Sequence, residues 1–280
     1  YTPNRVANGN FSQIGNEEVT NGDFSEIGAE LVTNGNFLSA SGWSTPSGWA
    51  ISGGKLKGTN LNAVSATQGG YSTFVGKSFL IVYTVSDYVQ GGVRIFLGGN
   101  QATPDRTANG TYTEYKTIDS GNNTLYIQGV DGFTGSVDII SVKNYSVDWS
   151  VGEGWSVQGD NKAVRVAFSS TDLVQAGAFP SGFATKQFKI SFDVVRSAGA
   201  VRLRAGTLNT PYVSATDTYT YYVTPTSNDQ LKFQADNDFV GSVTNITVKE
   251  VGQHWTLTQG WSIGDGGISR IAGNTANFAF

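Results

Sequence analysis

The sequence predicts an all-β protein made of tandem sandwich modules, and three observations predict it. The composition suits strands, with 36 glycines, 12% aromatics and interior runs rich in Val, Ile, Phe and Tyr. Short β-rich runs alternate with turn signals, and no segment carries a persuasive helical period. The six tryptophans form three pairs, Trp43/Trp49, Trp149/Trp155 and Trp255/Trp261, and the step from each pair to the next is the same. Phe133-Thr-Gly-Ser-Val137 recurs at that step as Phe239-Val-Gly-Ser-Val243, and Lys143 as Lys249. A repeat of that length is a whole domain, not a solenoid turn.

The N-terminal segment, residues 1–30, carries a shorter repeat. Asn8-Gly-Asn-Phe11, Asn21-Gly-Asp-Phe24 and Asn34-Gly-Asn-Phe37 follow one another at a constant short step. Asn-Gly is a tight-turn dipeptide because both residues tolerate positive φ. Only the third copy adjoins a module. The other two are either spare duplicates forming a flexible arm or strands that add to a sheet edge in a neighbouring chain.

Module 1 is expected over residues 31–146. Pro46-Ser-Gly48 turns the chain between Trp43 and Trp49. Phe79–Val85 is long and almost wholly apolar, as a central strand is. Val93–Leu97, Tyr112–Tyr115, Thr124–Gln128 and Val137–Val142 follow. Module 2, residues 147–251, has counterparts in Phe188–Val194, Val201–Arg204, Tyr219–Val223, Leu231–Phe233 and Val243–Val248. In the first of these, Phe188, Ile190, Phe192 and Val194 share one face and Lys189, Ser191 and Asp193 the other. About eight short strands per module, with Gly-rich turns, predict a β-sandwich of jelly-roll type. Residues 252–280 open a third module, and the stretch is too short for a core of its own. Together with the absence of methionine and the start at Tyr1, this points to a processed product or an excerpt.

Composition also excludes functions. Charged residues make up 14% and the net charge is −4, which speaks against a nucleic-acid partner. No stretch has the apolar length of a membrane-spanning helix. With no cysteine there is no disulfide framework.

The combination Val32-Thr-Asn-Gly-Asn-Phe37, then Gly42-Trp43 with Trp49 and Ile51, then Gly135-Ser-Val-Asp138 with Ser141-Val-Lys143 resembles carbohydrate-binding-module-like jelly rolls. In particular it resembles the tandem copies found in fibre and structural proteins of tailed bacteriophages. The resemblance covers nearly the whole chain. It implies a virion appendage or surface fibre whose modules space, decorate or bind host glycans. It also implies a structural calcium, and no other cofactor, at the positions Asn34, Asn36 and Asp138. Module 2 departs from that pattern, with Thr244 in place of Asp138 and no Asn-Gly-x-Phe opening.

Catalysis has little to build on. The one histidine, His254, corresponds to Asp148 in module 2 and Gly42 in module 1. A residue that changes identity in each copy is not a shared catalytic group. Of the glutamates, Glu17, Glu18, Glu26 and Glu30 lie in the N-terminal segment, and neither these nor Glu114, Glu153 and Glu250 recur at the long step. The aromatic residues suit glycan binding better. Trp43, Trp49, Trp149 and Trp155 are either core residues closing each sandwich or stacking platforms for sugar rings. Tyr112, Tyr115, Tyr219 and Tyr221 form a second candidate surface for a sugar or a subunit.

The expectation is therefore a non-enzymatic array on a virion surface, or an extracellular one. Its partners would be glycans and further copies of itself, joined as an oligomer or filament through the N-terminal strands. The alternatives are a carbohydrate-binding accessory region of a secreted bacterial enzyme and a subunit of a cellular adhesive fibril.

Overall fold

A computed structural model describes residues 6–99, 101–166, 168–257, 260–264 and 267–270. In chain order its strands begin with β1 (Ile14–Glu17), β2 (Trp49–Ser52), β3 (Lys55–Leu61), β4 (Val64–Gln68), β5 (Lys77–Leu97), β6 (Gln101–Ala102), β7 (Gly110–Ile118) and β8 (Leu125–Asn144). There follow β9 (Ser150–Val151), β10 (Trp155–Gln158), β11 (Lys162–Arg165), β12 (Asp172–Gln175), β13 (Gln187–Ala198), β14 (Val201–Ala205) and β15 (Leu208–Asn209). The last are β16 (Asp217–Val223), β17 (Leu231–Ala235), β18 (Val240–Val251), β19 (Trp261–Gly264) and β20 (Gly267–Arg270). The only helical element among the described residues is a 3-10 turn at Phe183–Thr185. The all-β, sandwich-type architecture expected from the sequence is present. The strands belong to two compact units. One holds residues 26–147 and 156–160, the other the described parts of 1–25, 148–155 and 161–280.

In the unit of residues 26–147, the sheet path is β2-β3-β8-β5-β6, with β4 also on β8 and β7 also on β5. Its two longest strands each serve two layers. The first half of β5 pairs with the end of β8 (Phe79↔Asn144, Val85↔Val137), and its last residues with the start of β8 (Val93↔Gly129, Leu97↔Leu125). Between the halves the register shifts, and Asp87, Gly91, Asp131 and Gly132 take positive φ. A side chain at Gly91 would place its Cβ 2.4 Å from the backbone nitrogen of Phe133, so only glycine fits this corner. Bulged strands that turn from one layer to the next enclose a common core. Ile81, Tyr83, Ile95, Ile127, Ile140 and Val142 are all buried in it.

The second unit uses the same path with the long strands cut. Gly199, at φ 64°, separates β13 from β14, and β17 ends before β18 begins. One sheet runs β11-β18-β13-β16 with β1 also on β18, and the other runs β15-β14-β17-β12-β9. Phe188, Ile190, Phe192 and Val194 are buried, as their alternation predicts. β19 and β20 pair antiparallel.

The Asn-Gly turns explain where the N-terminal segment goes. Trp43 donates its indole N–H to the Asn34 carbonyl (3.2 Å), Trp149 to that of Asn21 (3.0 Å) and Trp255 to that of Asn8 (3.1 Å). The Phe closing each turn lies against the same tryptophan: Phe37 on Trp43 at 5.2 Å, Phe24 on Trp149 at 5.2 Å and Phe11 on Trp255 at 5.1 Å between centroids. The copies nearest module 1, then further away, are thus taken up by the first, second and third tryptophan pairs. The openings are nested in the chain.

Two further contacts repeat with the turns. Glu30 Oε1 accepts from the backbone N–H of Val32 and Val142, both at 2.9 Å, and Glu17 Oε1 from Val19 (3.3 Å) and Val248 (2.6 Å). Gln68 exchanges two hydrogen bonds with the Thr33 backbone, as Gln175 does with that of Thr20. Each carboxylate or amide thus satisfies backbone groups that the strand ladders leave unpaired.

The described part of residues 1–30 is therefore divided. Residues 26–30 belong with module 1, while residues 6–25 complete the second unit. The opening that module 2 lacks in its own sequence is supplied from residues 14–24 of the same chain. The described copies pair within the chain instead of forming a free arm. Residues 252–257, 260–264 and 267–270 of the third opening lie in the same unit as module 2. The rest of that expected module, 271–280, and residues 1–5 of the arm lie outside the described residues.

Candidate functional site

One layer of the 26–147 unit carries the strongest candidate site. β4, β8 and β5 lie side by side there, with Ser65 opposite Gln128, Gln128 opposite Arg94, and Tyr126 opposite Phe96. Strand alternation sends Ala66, Ile95, Leu97, Leu125 and Ile127 inward, where all are buried. The same alternation sends Ser65, Arg94, Phe96, Tyr126 and Gln128 outward.

These outward side chains hold one another in place. Arg94 donates through Nε to Gln128 Oε1 (3.0 Å), and Gln128 Nε2 donates to Ser65 Oγ (3.2 Å). Asp105 is 3.6 Å from the Arg94 guanidinium, which also lies 5.4 Å from the centre of the Phe96 ring. Phe96 meets Tyr126 edge to face at 6.5 Å. Asn122 donates to the Tyr126 hydroxyl (2.8 Å) while its own Oδ1 accepts from Thr124 N (3.0 Å). A cleft of about 340 Å³ borders Phe96, Tyr126 and Gln128, and another of about 450 Å³ borders Arg94, Asp105 and Asp131. Gly98 and Gly121 form a rim, where a Cβ at Gly121 would come 2.2 Å from the Gly98 carbonyl oxygen. The chemistry available is ring stacking flanked by planar polar groups.

The matching layer of the second unit keeps one pair and replaces the other. Arg202 donates through Nε to Gln234 Oε1 (2.8 Å), as Arg94 does to Gln128. In the register of Phe96 and Tyr126, however, stand Arg204 and Lys232. Asp172 replaces Ser65 and lies 3.4 Å from the Arg204 guanidinium. Tyr212, exposed, takes the place of Asp105 and carries the Arg202 guanidinium over its ring at 4.6 Å.

The residues singled out from the sequence lie elsewhere. Trp43, Trp49, Trp149 and Trp155 are 8%, 5%, 0% and 1% exposed, so none offers the open face that stacking on a sugar requires. Their N–H groups donate to backbone carbonyls inside the sandwich. These four are core residues, which corrects the platform alternative. Tyr112 lies under the Arg106 guanidinium and bonds the Ala108 carbonyl (2.9 Å). Tyr219 and Tyr221 stack on Phe192 at 5.8 and 6.2 Å, and burial pushes the Tyr221 hydroxyl above its ordinary pKa. Tyr115 is the most open of the eight, with its ring against Tyr145 at 5.3 Å. None of them lines the cleft of Phe96 and Tyr126.

Of the calcium positions, Asn34 and Asn36 sit in one turn, and Asn36 Oδ1 accepts from Leu38 N (3.4 Å). Asp138 is turned to other partners, Ser86 Oγ at 2.6 Å and the Lys55 ammonium at 3.5 Å. The carboxylate expected as an ion ligand thus has a hydroxyl and an ammonium as its partners, the ammonium shared with Asp87. No cluster of three or more His, Cys, Asp or Glu suited to a metal occurs among the described residues. His254 is exposed at φ 73°, and its counterparts Asp148 (65°) and Gly42 (82°) share that conformation. The position selects residues that tolerate positive φ, which explains why its identity changes from copy to copy.

Phe96 and Tyr126 were within reach of the sequence. Val93–Leu97 and Thr124–Gln128 alternate cleanly, and an aromatic residue on the face opposite Ile95 and Ile127 is the signal.

No protein-family model matches the chain, and no curated protein matches it. Among solved structures, the N-terminal CBM22-1–CBM22-2 tandem domain of Xyn10C from Paenibacillus barcinonensis is similar over 80% of this chain and 89% of that one, at 10% identity and a TM-score of 0.32. A conserved protein of unknown function from Pseudomonas aeruginosa PAO1 is similar over 77% of this chain and 98% of that one, at 10% identity and a TM-score of 0.17. Both likenesses are too distant to carry an argument about ligand or activity.

Proposed function

We propose that the protein is a non-enzymatic glycan-binding array, and that the layer bearing Phe96 and Tyr126 is its binding face for neutral sugars. One observation carries this. Two aromatic rings stand outward on adjacent central strands, with Arg94, Gln128 and Asn122 fixed beside them by hydrogen bonds. A sugar ring presents an apolar face bordered by hydroxyls, and that arrangement answers both parts. Tandem modules suit weak sites, because tethering raises the effective concentration of the second contact.

Of the settings expected from the sequence, an accessory glycan-binding region of a secreted bacterial enzyme is favoured over a viral fibre. The fibre reading rests on short sequence motifs alone, and the N-terminal copies expected to join its subunits are paired within the chain where described.

The test is affinity electrophoresis of the whole chain in gels containing soluble neutral polysaccharides such as xylan, β-glucan and mannan. At least one should retard the protein, and Tyr126→Ala with Phe96→Ala should abolish the retardation at an unchanged melting temperature. Free migration in every gel, or retardation indifferent to the double variant, overturns the proposal.

A further inference from the structure

We infer that the matching face of the second unit takes an acidic saccharide, one whose sugar carries a carboxylate or a sulfate; this rests on the glycan-binding reading above. The basis is a substitution in register. Where one unit sets Phe96 opposite Tyr126, the other sets Arg204 opposite Lys232 on neighbouring antiparallel strands. Like charges directly opposite each other destabilise a sheet unless an anion lies between them. Arg202 stands in the adjacent row, so three cations share this face with the single carboxylate of Asp172. The chain has only 18 Lys and Arg and a net charge of −4, so this concentration runs against its overall balance.

The cations are also arranged for recognition. Arg202 is held over the exposed Tyr212 ring at 4.6 Å and tied to Gln234 at 2.8 Å. A guanidinium fixed in this way loses little freedom when it meets an oxyanion. Asp172 holds Arg204 at 3.4 Å, and the two side chains are 22% and 23% exposed. That carboxylate both positions Arg204 and opposes an incoming anion. The two units would therefore read different parts of one heteropolymer, or two different polymers.

The experiment uses the whole chain in gels of polygalacturonate for the carboxylate, dextran sulfate for the sulfate, and unmodified dextran as the uncharged control. Retardation is expected in at least one acidic gel, weakening with added salt, and absent in dextran. Arg204→Gln with Lys232→Gln should weaken it about tenfold or more, the usual effect of losing a charged hydrogen bond. Retardation by the neutral glycan of the Tyr126 face should stay unchanged. Asp172→Asn should strengthen acidic binding by removing the opposing charge. No retardation in either acidic gel, or acidic binding indifferent to all three substitutions, overturns the inference. If neutral binding persists in that case, the glycan-binding reading survives it. Retardation in one acidic gel alone identifies the oxyanion.

Discussion

The indole N–H of Trp149 donates to the carbonyl oxygen of Asn21 at 3.0 Å, across 128 positions of chain. The body of module 2 therefore cannot close until a turn made before module 1 returns to it. Phe24, which ends that turn, is fully buried against Trp149 although its φ is 55°. A bulky residue in that conformation is strained by roughly 1–2 kcal/mol, and burial of its ring outweighs the strain.

Truncating that ring should therefore be costly. Phe24→Ala is expected to lower the unfolding free energy of the second unit by about 3–5 kcal/mol. A chain lacking residues 1–25 should melt at lower temperature but keep the oligomeric state of the full chain in light scattering, because these residues pair within the chain. An oligomer that dissociates on the truncation, at unchanged melting temperature, would show instead that the segment links subunits.

The three Asn-Gly turns should not tolerate substitution equally. A Cβ at Gly22 would lie 2.0 Å from the Ile246 carbonyl oxygen, and one at Gly35 would lie 2.1 Å from that of Ile140. At Gly9 the nearest atom is a Val6 methyl at 3.4 Å. Gly22→Ala and Gly35→Ala should each break the backbone hydrogen bond from Ile246 or Ile140 and cost about 1–3 kcal/mol. Gly9→Ala should stay within about 0.5 kcal/mol of the parent. Equal losses in denaturant melts of all three variants would contradict the closer seating of Gly22 and Gly35.

Much of this architecture is visible in the residues, and the misplacements have physical causes. β13 announces itself by alternation, the first part of β5 by an almost wholly apolar run, and the turns by glycine. Three Asn-Gly-x-Phe copies accompany three tryptophan pairs, and that equality is the trace of the nesting. The copies crowd into one short segment while their tryptophans stand a whole module apart, so local spacing suggests spare copies where long-range pairing uses every one. The tryptophans drew attention as sugar platforms because of their chemistry. Their fixed spacing was the better guide, since it reflects a core contact repeated in each module. The proposed binding face is carried by Phe96 and Tyr126 in one unit and Arg204 and Lys232 in the other. A site that changes chemistry between copies leaves no repeat to find.

The corner of the 26–147 unit should respond to acid. Lys55 lies 2.9 Å from Asp87 and 3.5 Å from Asp138, and Ser136 Oγ donates to Asp87 at 3.1 Å. The hydrogen bond from Lys55, helped by Ser136, holds the Asp87 carboxyl below its ordinary value. A carboxyl depressed by folding adds stability above its unfolded pKa of about 3.9, and loses that contribution as pH falls through the folded value. The melting temperatures of the parent and Asp87→Asn should thus differ at neutral pH and converge in acid. A difference that persists unchanged at pH values well below about 3.9 would assign the effect to packing instead.

Arg165 should prove indispensable to the second unit although no carboxylate bonds it. It is fully buried. Its terminal nitrogens donate to the carbonyls of Glu153 (3.2 Å), Val166 (3.3 Å), Phe168 (3.3 Å), Ser169 (3.0 Å) and Asp236 (3.5 Å). Burial pushes the guanidinium below its ordinary pKa, and the Asp236 charge opposes that shift. The same register position in the other unit is Gly58, where Leu61 and Phe133 fill the space. One unit thus closes this end with apolar side chains, and the other with a cation that gathers loop carbonyls over Trp155 at 5.6 Å. Arg165→Met preserves volume but leaves those carbonyls without donors, and should cost about 3 kcal/mol or more. Arg165→Lys keeps the charge, yet one ammonium cannot reach carbonyls spread around a planar fork, so rescue should be partial. Neutral-glycan retardation at the Tyr126 face should be unaffected by either variant. If Arg165→Met melts with the parent, the guanidinium is filling space and the loop carbonyls find other donors.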